Sequence, residues 1–495
     1  MFLGIDVGTG GSRAVVVNAA GAVVASCAAA HPAIDSAQVG WAEQNPEDWY
    51  KAVKEALAGL FKDGGVDRTA IQSVGLTGQM HGCVMLDDEG AVLRPALIWC
   101  DQRTQPQCDW LNATIGKERL IELTCNPALP NFTLTKLLWV KQHEPKIFGR
   151  IEHVLCPKDY VRYRLTGEFA MDMQEASGTL LLDVTHRRWS DEVAGACGIP
   201  MKWLPRLFEG PEVCGRIDAA GAAATGLAAG TPVVAGAGDQ GAGAVGMGII
   251  APGSVSATIG TSGVVFAATD KPVKDPLGRL HTFCHAAPGR WHVMGVTNGA
   301  GLSLQYFRNT FASDVRGHTV SYDELSDEAS TVPAGSLGLL WAPYLFGERT
   351  PHLDPNARAA FVGITASHVR AHFVRAVMEG VAFSLMESFT LFAELEIPTE
   401  RIRLGGGGAR GPLWRQIQAD VYGRPVELLE ADEGGAYGAA LLAGTGVGAW
   451  RSVEAACDAT VRVKATIAPL NADVMAAQYT QFRRMYSALR SIREG

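Results

Sequence analysis

The sequence predicts an α/β protein built from two related domains. Its 495 residues exceed what one ordinary hydrophobic core accommodates, so two or three domains are expected. Apolar residues form 47% of the chain and charged residues 19%, which is typical of a globular protein rather than a disordered or fibrous one. A strand, Gly-Thr turn, strand pattern occurs at residues 8–11 and again at residues 260–263. This repeat predicts two related domains, each with one such loop.

The first repeat lies in GIDVGTGGSR, residues 4–13, where an apolar strand ends in Asp6, Gly8 and Thr9. Two interpretations of Asp6 are open: it bonds its own backbone in a turn, or it holds a metal beside a phosphate bound by the loop amides. The motif lacks the Lys-Ser/Thr ending of a P-loop and the crossover helix of a dinucleotide fingerprint. Residues 12–29 instead predict a hairpin. A polyphosphate between two such loops would be bound from both sides by amides and hydroxyls.

Two helices are predicted from capping residues and apolar spacing. Asn45 and Pro46 supply a cap and a first helical residue, and apolar residues follow at intervals of four. A longer helix is predicted over about residues 367–395, which lack proline and place apolar residues three and four apart. An Ala/Gly-rich region is the best candidate for a domain junction, which divides the chain into an N-terminal domain, 1–245, and a C-terminal domain, 246–495.

One glycine-rich segment, residues 231–246, carries Asp239 and Gln240 directly after an apolar strand. An isolated Asp between glycines is usually a turn residue, but the glycines also allow a second molecule to approach the carboxylate. If the second Gly-Thr loop holds the terminal phosphate of a nucleotide, Asp239 becomes a candidate general base for a substrate hydroxyl. Gln240 adds a donor and an acceptor suited to a polyol.

Three further segments are rich in glycine. Residues 74–90 predict a hairpin whose turn carries Met80 and His81. A single His is more often a structural hydrogen-bond partner and Met more often fills a core, but the flanking glycines favour a lined pocket. Residues 401–423 predict a strand, four glycines and a helix, a pattern that favours close approach of a flat or anionic group. Residues 431–444 predict a small-residue helix, for which tight helix packing is a better explanation than ligand contact.

The net charge limits the kinds of binding partner, and the cysteines indicate the redox state of the compartment. A net charge of −8 argues against non-specific binding to nucleic acid or to an anionic membrane. Ten cysteines are scattered without CxxC spacing, and no His cluster has the form of a zinc site. The N-terminus lacks the basic segment and apolar core of a signal peptide, and no membrane span is indicated. A reduced, cytoplasmic protein is therefore expected.

Taken together, these segments resemble the FGGY carbohydrate kinases of the actin-like ATPase superfamily. The resemblance covers nearly the whole chain, and its motifs are GIDVGTGGSR, GWAEQNPEDWY, GLTGQMHG, IWCDQRT, NFTLTKLLWVKQHEP, LCPKDYVRYRLTGEFAMD, GAGDQGAGAVG, IGTSGVVF, YLFGERTPH and LGGGGAR. The resemblance implies two actin-like, ribonuclease H-like ATPase domains that flank a cleft for nucleotide and sugar.

The resemblance also implies roles for individual residues. Asp239 matches the proton acceptor of the family, and Asp6 resembles the carboxylate that positions Mg²⁺ directly or through water. Contacts to the sugar are implied for Met80, His81, Asp239 and Gln240. Contacts to ATP are implied for two phosphate loops and a nucleotide-side glycine turn, namely Gly8, Thr9, Arg13, Gly260, Thr261, Gly407, Gly408 and Ala409.

The activity that the resemblance implies is phosphorylation of a sugar with ATP and Mg²⁺. GLTGQMHG, where glycerol-type members usually carry an Arg-Glu pair, favours D-xylulose as the acceptor and D-xylulose 5-phosphate as the product. One alternative is a kinase for another ketose or polyol, such as ribulose, fuculose or glycerol. A second is an actin-like ATP-binding protein without sugar chemistry, although Asp239 and the Met-His pair argue against it. A homodimer is expected, with no nucleic-acid or membrane partner.

Overall fold

The computed structural model describes residues 1–63, 65–312, 320–430 and 434–494. The strands of the N-terminal half are β1 (Phe2–Val7), β2 (Gly11–Val17), β3 (Val23–Ala30), β4 (Glu43–Gln44), β5 (Ser73–Gly78), β6 (Val84–Leu86), β7 (Ala96–Leu97), β8 (His153–Leu155), β9 (Ala170–Asp172), β10 (Leu182–Asp183), β11 (Arg188–Trp189), β12 (Arg206–Phe208), β13 (Val213–Arg216) and β14 (Pro232–Val234). Those of the C-terminal half are β15 (Gly253–Ile259), β16 (Gly263–Thr269), β17 (His281–Cys284), β18 (Trp291–Thr297), β19 (Leu340–Ala342), β20 (Ala360–Val362), β21 (Thr399–Gly406), β22 (Val426–Leu429) and β23 (Val463–Ile467).

The helices are distributed over both halves. They are α1 (Pro46–Lys62), α2 (Gln105–Thr114), α3 (Lys117–Thr124), α4 (Thr133–His143), α5 (Pro145–Phe148), α6 (Pro157–Thr166), α7 (Met173–Ser177), α8 (Asp191–Cys197), α9 (Ala219–Thr225), α10 (Asp239–Gly246), α11 (Gly301–Phe311), α12 (Tyr322–Ser330), α13 (Arg370–Glu394), α14 (Pro412–Tyr422), α15 (Gly434–Gly446), α16 (Val453–Thr460) and α17 (Ala472–Glu494).

Two large sheets share one topology. The first has the order β13-β14-β5-β1-β2-β3 and the second the order β17-β18-β16-β15-β21-β22-β23. In each sheet the first three strands pair antiparallel to their neighbours, and two later strands then pair in parallel beside the first. The order β3-β2-β1-β5-β14 therefore corresponds to β18-β16-β15-β21-β22. The Gly-Thr turns join β1 to β2 and β15 to β16. The repeat predicted from sequence is therefore a repeat of structure.

Helix α15 joins the two halves, because it lies on the N-terminal sheet although it comes from the other end of the chain. A Cβ added at Gly4 of β1 would lie 1.8 Å from the carbonyl oxygen of Ala436, and one at Gly75 of β5 would lie 2.1 Å from that of Ala439. Only glycine permits so close an approach of helix and sheet. The opposite face of this sheet packs on α1, whose apolar side includes Trp49.

Most of the predicted elements are confirmed. α1 begins after Asn45, whose side chain accepts a hydrogen bond from the amide of Glu47 at 3.1 Å. The long helix is α13, the glycine run leads from β21 into α14, and β2 and β3 form the hairpin. The small-residue helix is α15, while residues 431–433 of that prediction lie outside the described residues. Residue 245 lies within α10, and the division into domains 1–245 and 246–495 stays a prediction.

The hairpin predicted over residues 74–90 is wrong. β5 pairs with β1 on one side and β14 on the other, so neither of its edges is open to β6. β6 pairs instead with β8 in a separate small sheet. Between them the chain turns at His81, which adopts a left-handed backbone with φ of 67°.

By length and composition, α13 is the one helix in the described part of the chain that could cross a membrane. Of its most apolar window, 83% is buried inside the protein.

Candidate active site

A cavity of about 230 Å³ lies where α10 faces the second sheet and the start of α15. Its lining combines residues of α10 and the residue after it, polar and apolar side chains of β15 and β16, and residues of β21 and the start of α15: Asp239, Gln240, Gly243, Ala244, Gly246, Met247, Ser256, Thr258, Val264, Phe266, Gly405, Gly406, Gly434, Gly435 and Tyr437. The cavity is thus built by both halves of the chain.

Asp239 is the first residue of α10, directly after the cap residue Gly238. Burial, and to a smaller extent the nearby charge of Asp6, together raise the pKa of its carboxyl to about 7. Hydrogen bonds from the backbone and side chain of Gln240 act in the opposite direction. A carboxyl with a pKa close to neutrality is suited to accept a proton from an alcohol.

Asp6 is the last residue but one of β1 and lies beside Arg13 of β2 and Thr77 of β5, its cross-strand partners. Burial raises the pKa of the Asp6 carboxyl to about 6, and the charge of Arg13 opposes that shift. Among the described residues, its Oδ1 is buried without a hydrogen-bond partner, as is Oγ1 of Thr77. Both side chains face Gly435 of α15, where an added Cβ would lie 3.3 Å from Oγ1 of Thr77 and 3.5 Å from Oδ2 of Asp6.

The first Gly-Thr loop is held by side chains from three other segments. The Thr9 hydroxyl donates to Oε1 of Gln79 at 3.2 Å and accepts from the indole N–H of Trp99 at 2.9 Å. The Gln44 amide donates to the Thr9 carbonyl at 2.8 Å, and the amide of Gly8 closes the turn on Gly11. Sequence reasoning missed Gln44, Gln79 and Trp99 as supports of the loop, although GLTGQMHG and IWCDQRT contain two of them.

The second Gly-Thr loop lies against the glycine turn that follows β21. The carbonyls of Gly260 and Thr261 accept hydrogen bonds from the first two residues of α11, at 2.8 and 3.2 Å. A Cβ added at Gly408 would lie 2.6 Å from Cβ of Ile259, which immediately precedes this loop. The structure therefore brings Gly407, Gly408 and Ala409 beside the loop, while Gly405 and Gly406 line the cavity itself.

Met80 and His81 lie at the end of β5, and both are buried. A Cβ added at Gly238 would lie 2.5 Å from Cγ of Met80, so Met80 packs directly before the predicted base. Nδ1 of His81 lies 2.7 Å from the carbonyl oxygen of Gly178, to which it donates, and this contact leaves Nε2 as an acceptor. Burial lowers the pKa of His81 to about 3, so the ring is neutral.

The structure thus brings several of the predicted site residues together, in the cavity or beside it. Asp239 and Gln240 line the cavity, Asp6 lies beside its lining residue Gly435, and Met80 packs against Gly238, the residue before Asp239. Arg13 lies across from Asp6, and its Nε donates to the Ser26 hydroxyl at 2.9 Å. No group of three or more His, Cys, Asp or Glu side chains suited to a metal occurs within the described ranges.

Comparison with known proteins identifies the family. Residues 1–246 match the profile described as FGGY family of carbohydrate kinases, N-terminal domain, and residues 255–447 match that of the C-terminal domain. Xylulose kinase from Bacillus subtilis is 39% identical, with 99% of each protein covered, and xylulose kinase from Escherichia coli K12 is 40% identical over 90% of this chain and 89% of that protein. The crystal structure of xylulose kinase from Rhodospirillum rubrum matches with a TM-score of 0.91 and 31% identity over 99% of both chains. The chain belongs to the FGGY family of carbohydrate kinases.

Proposed function

We propose that this protein transfers the γ-phosphoryl group of ATP to D-xylulose, giving D-xylulose 5-phosphate and ADP. The observation that carries the proposal is the position of Asp239, which lines a cavity together with Gly405 and Gly406 and follows a residue packed on Met80. The names of the similar proteins support the choice of sugar.

In this mechanism Asp239 is the general base. The sugar hydroxyl oxygen bonds to the γ-phosphorus as the bond to the β-phosphate oxygen breaks, and the hydroxyl proton passes to the carboxylate. His81 binds and orients the sugar, since its neutral ring offers Nε2 as an acceptor for a second hydroxyl. Met80 supplies an apolar surface beside the reacting group, and Gln240 adds an amide.

The two Gly-Thr loops bind the nucleotide phosphates in this proposal. Gly8, Thr9 and Arg13 would act from the N-terminal half, and Gly260 and Thr261 from the C-terminal half. The turn of Gly407, Gly408 and Ala409 would pack on the nucleotide. Backbone amides in glycine-rich turns can bind an anion without a basic surface, which agrees with the net charge of −8.

Mg²⁺ fits the residues present at the end of β1. Oδ1 of Asp6 lacks a hydrogen-bond partner in the described structure, and Mg²⁺ is usually held by one or two carboxylates together with substrate phosphates. When bound, the ion would neutralise charge on the phosphates. Asp6 would hold it directly or through water, and Arg13 would help keep that carboxylate ionised.

Acceptor phosphorylation tests the proposal directly. ADP release would be measured with ATP, Mg²⁺ and a panel of D-xylulose, D-ribulose, L-fuculose and glycerol. We expect the highest kcat/KM with D-xylulose. A clear preference for another acceptor would assign the site to another ketose or polyol, whereas ATP-dependent polymers without acceptor-dependent ADP release would indicate an actin-like structural protein.

We also propose that the two predicted domains, 1–245 and 246–495, close on the sugar, because exclusion of water prevents wasteful ATP hydrolysis. Small-angle scattering with and without D-xylulose should show a smaller radius of gyration in the complex. An unchanged radius would contradict closure. A cytoplasmic homodimer completes the proposal, and sedimentation equilibrium would report its mass.

A further inference from the structure

The short helix α7 contacts both parts of the candidate site. Asp172 caps its N-terminus, since the Oδ1 of Asp172 accepts hydrogen bonds from the amides of Gln174 and Glu175, each at 2.9 Å. Oε1 of Glu175 accepts from the backbone amide of His81 at 3.3 Å. The Ser177 hydroxyl accepts from the amide of Cys284 in β17 at 3.0 Å. α7 therefore links the turn of the Met-His pair to the C-terminal sheet.

Gln174 makes the most direct of these contacts. Its side chain is buried, its Oε1 accepts from the amide of Gly238 at 2.7 Å, and its Nε2 lies 3.4 Å from Sδ of Met80. Gly238 is the residue before Asp239. One amide group thus contacts both the backbone that begins α10 and the side chain that packs beside it.

The surrounding residues leave little room for this contact to change. A Cβ added at Gly238 would lie 2.7 Å from Oε1 of Gln174, and one at Gly241 would lie 2.9 Å from its Cγ. Glycine at both positions therefore lets α10 press against the Gln174 side chain. Gly238 lies at the helix N-terminus, where an amide has no partner within the helix, and Gln174 supplies one.

A buried ion network holds α7 itself in place. Asp172 pairs with Lys158 at 2.6 Å, and Lys158 also pairs with Asp159 at 2.5 Å. Arg162 pairs with Asp159 at 2.9 Å and donates to the carbonyl of Ala235 at 2.9 Å. The segment that leads to Asp239 is thus contacted at two residues, at Gly238 by Gln174 and at Ala235 by Arg162 of this network. Removal of one partner from such a network is strongly destabilising, so it anchors α7 rigidly.

We propose that Gln174 is a positioning residue for phosphoryl transfer, which holds the start of the Asp239 helix and the Met80 side chain in one fixed arrangement. The inference rests on the proposed function, because it assigns Gln174 to the alignment of base and sugar. Gln174 acts through Gly238 and Met80 and takes no part in proton transfer. A misplacement of about 1 Å at a reacting group can cost about 100-fold in rate, so a small movement of α10 is enough to matter.

The test compares Gln174→Met with the wild-type enzyme and with Gln107→Met. The methionine has nearly the same length but neither accepts from Gly238 nor donates to Met80. Gln107 is also buried and donates to Oε1 of Gln142 at 2.7 Å between α2 and α4, which makes it a matched control outside the proposed site. Steady-state kinetics would be measured with D-xylulose and ATP, after folding is checked by circular dichroism and melting temperature.

We expect Gln174→Met to lower kcat by about 10- to 100-fold and to raise KM for the sugar, while KM for ATP stays within about twofold of wild type. The affinity for ATP measured by calorimetry should also stay within about twofold, because the proposed phosphate loops are unaltered; a general loss of structure would not allow that. Gln107→Met should leave all of these within about twofold. In a double-mutant cycle with Met80→Leu, the losses in kcat/KM should combine to less than their product, because both changes break one contact.

Equal kcat and sugar KM in folded Gln174→Met and Gln107→Met would overturn the inference. If Gln174→Met does not fold, Gln174→Asn replaces it, since that side chain keeps the amide but withdraws it by one methylene; the same criteria apply. A wild-type enzyme that phosphorylates no acceptor would instead overturn the proposed function, so the two failures are distinguishable.

Discussion

The two halves of this protein use one scaffold for different chemistry. β1 and β2 meet at a Gly-Thr turn, and so do β15 and β16, 252 residues later. At the end of β1 stands Asp6, whereas the corresponding position on β15 is Thr258. The N-terminal half thus supplies a carboxylate where the C-terminal half supplies a neutral hydroxyl.

The helices that follow the last parallel strands differ in the same way. α10 follows β14 and begins with Asp239. α15 follows β22, and its first two described residues are Gly434 and Gly435. The two helices cross so closely that a Cβ at Gly438 would lie 1.8 Å from the carbonyl oxygen of Ala242. The comparison shows that the start of α10 brings a carboxylate to the cavity, whereas the start of α15 brings glycine backbone.

The largest effect is expected from Asp239→Asn, which removes the carboxylate at the start of α10. Positioned proton transfer contributes about 10²- to 10⁴-fold, so kcat should fall by an amount in that range. ATP binding, measured by calorimetry, should remain, because the phosphate loops are unaltered. An unchanged kcat in a folded variant would eliminate Asp239 as the base.

A smaller effect is expected where the two helices cross. Gly438→Ala would place a methyl group against backbone atoms of α10, and overpacking of this kind costs about 1–3 kcal/mol of unfolding free energy. Gly195→Ala in α8 is the control, since an added Cβ there meets nothing within 4 Å. That control should leave stability unchanged or raise it by about 0.5–1 kcal/mol. Chemical denaturation would compare the two, and equal stabilities would show that α10 can move away from α15.

The smallest effect is a change in the titration of Asp239. The pKa of its carboxyl is about 7, partly because of the charge on Asp6, so the carboxyl is protonated below that pH and the base is lost as pH falls. We expect ¹³C NMR of the ligand-free protein to show a midpoint near 7, and Asp6→Asn to move it to lower pH. Thr258→Val, at the corresponding position of the other half, should leave the midpoint unchanged. An equal midpoint in wild type and Asp6→Asn would show that the charge of Asp6 does not affect the titration of Asp239.

Local signals allowed much of the fold and of the site to be predicted. Caps such as Asn45, apolar spacing along α13 and the repeated Gly-Thr turn act through neighbours in the chain, so they can be read without the structure. The predicted family is confirmed by profiles over both halves. The roles of Asp6, Asp239, Met80 and His81 stay predictions.

The sequence by itself determined the elements, the repeat and the residue types able to do the chemistry, because these depend on short-range spacing. Only the tertiary structure decided that β6 leaves β5 to pair with β8, since β1 and β14 occupy both edges of β5. It also decided that Trp99 supports Thr9 and that Gln174 reaches Gly238. Such contacts join residues 64 and 90 positions apart, and their energies depend on burial, which no local pattern specifies.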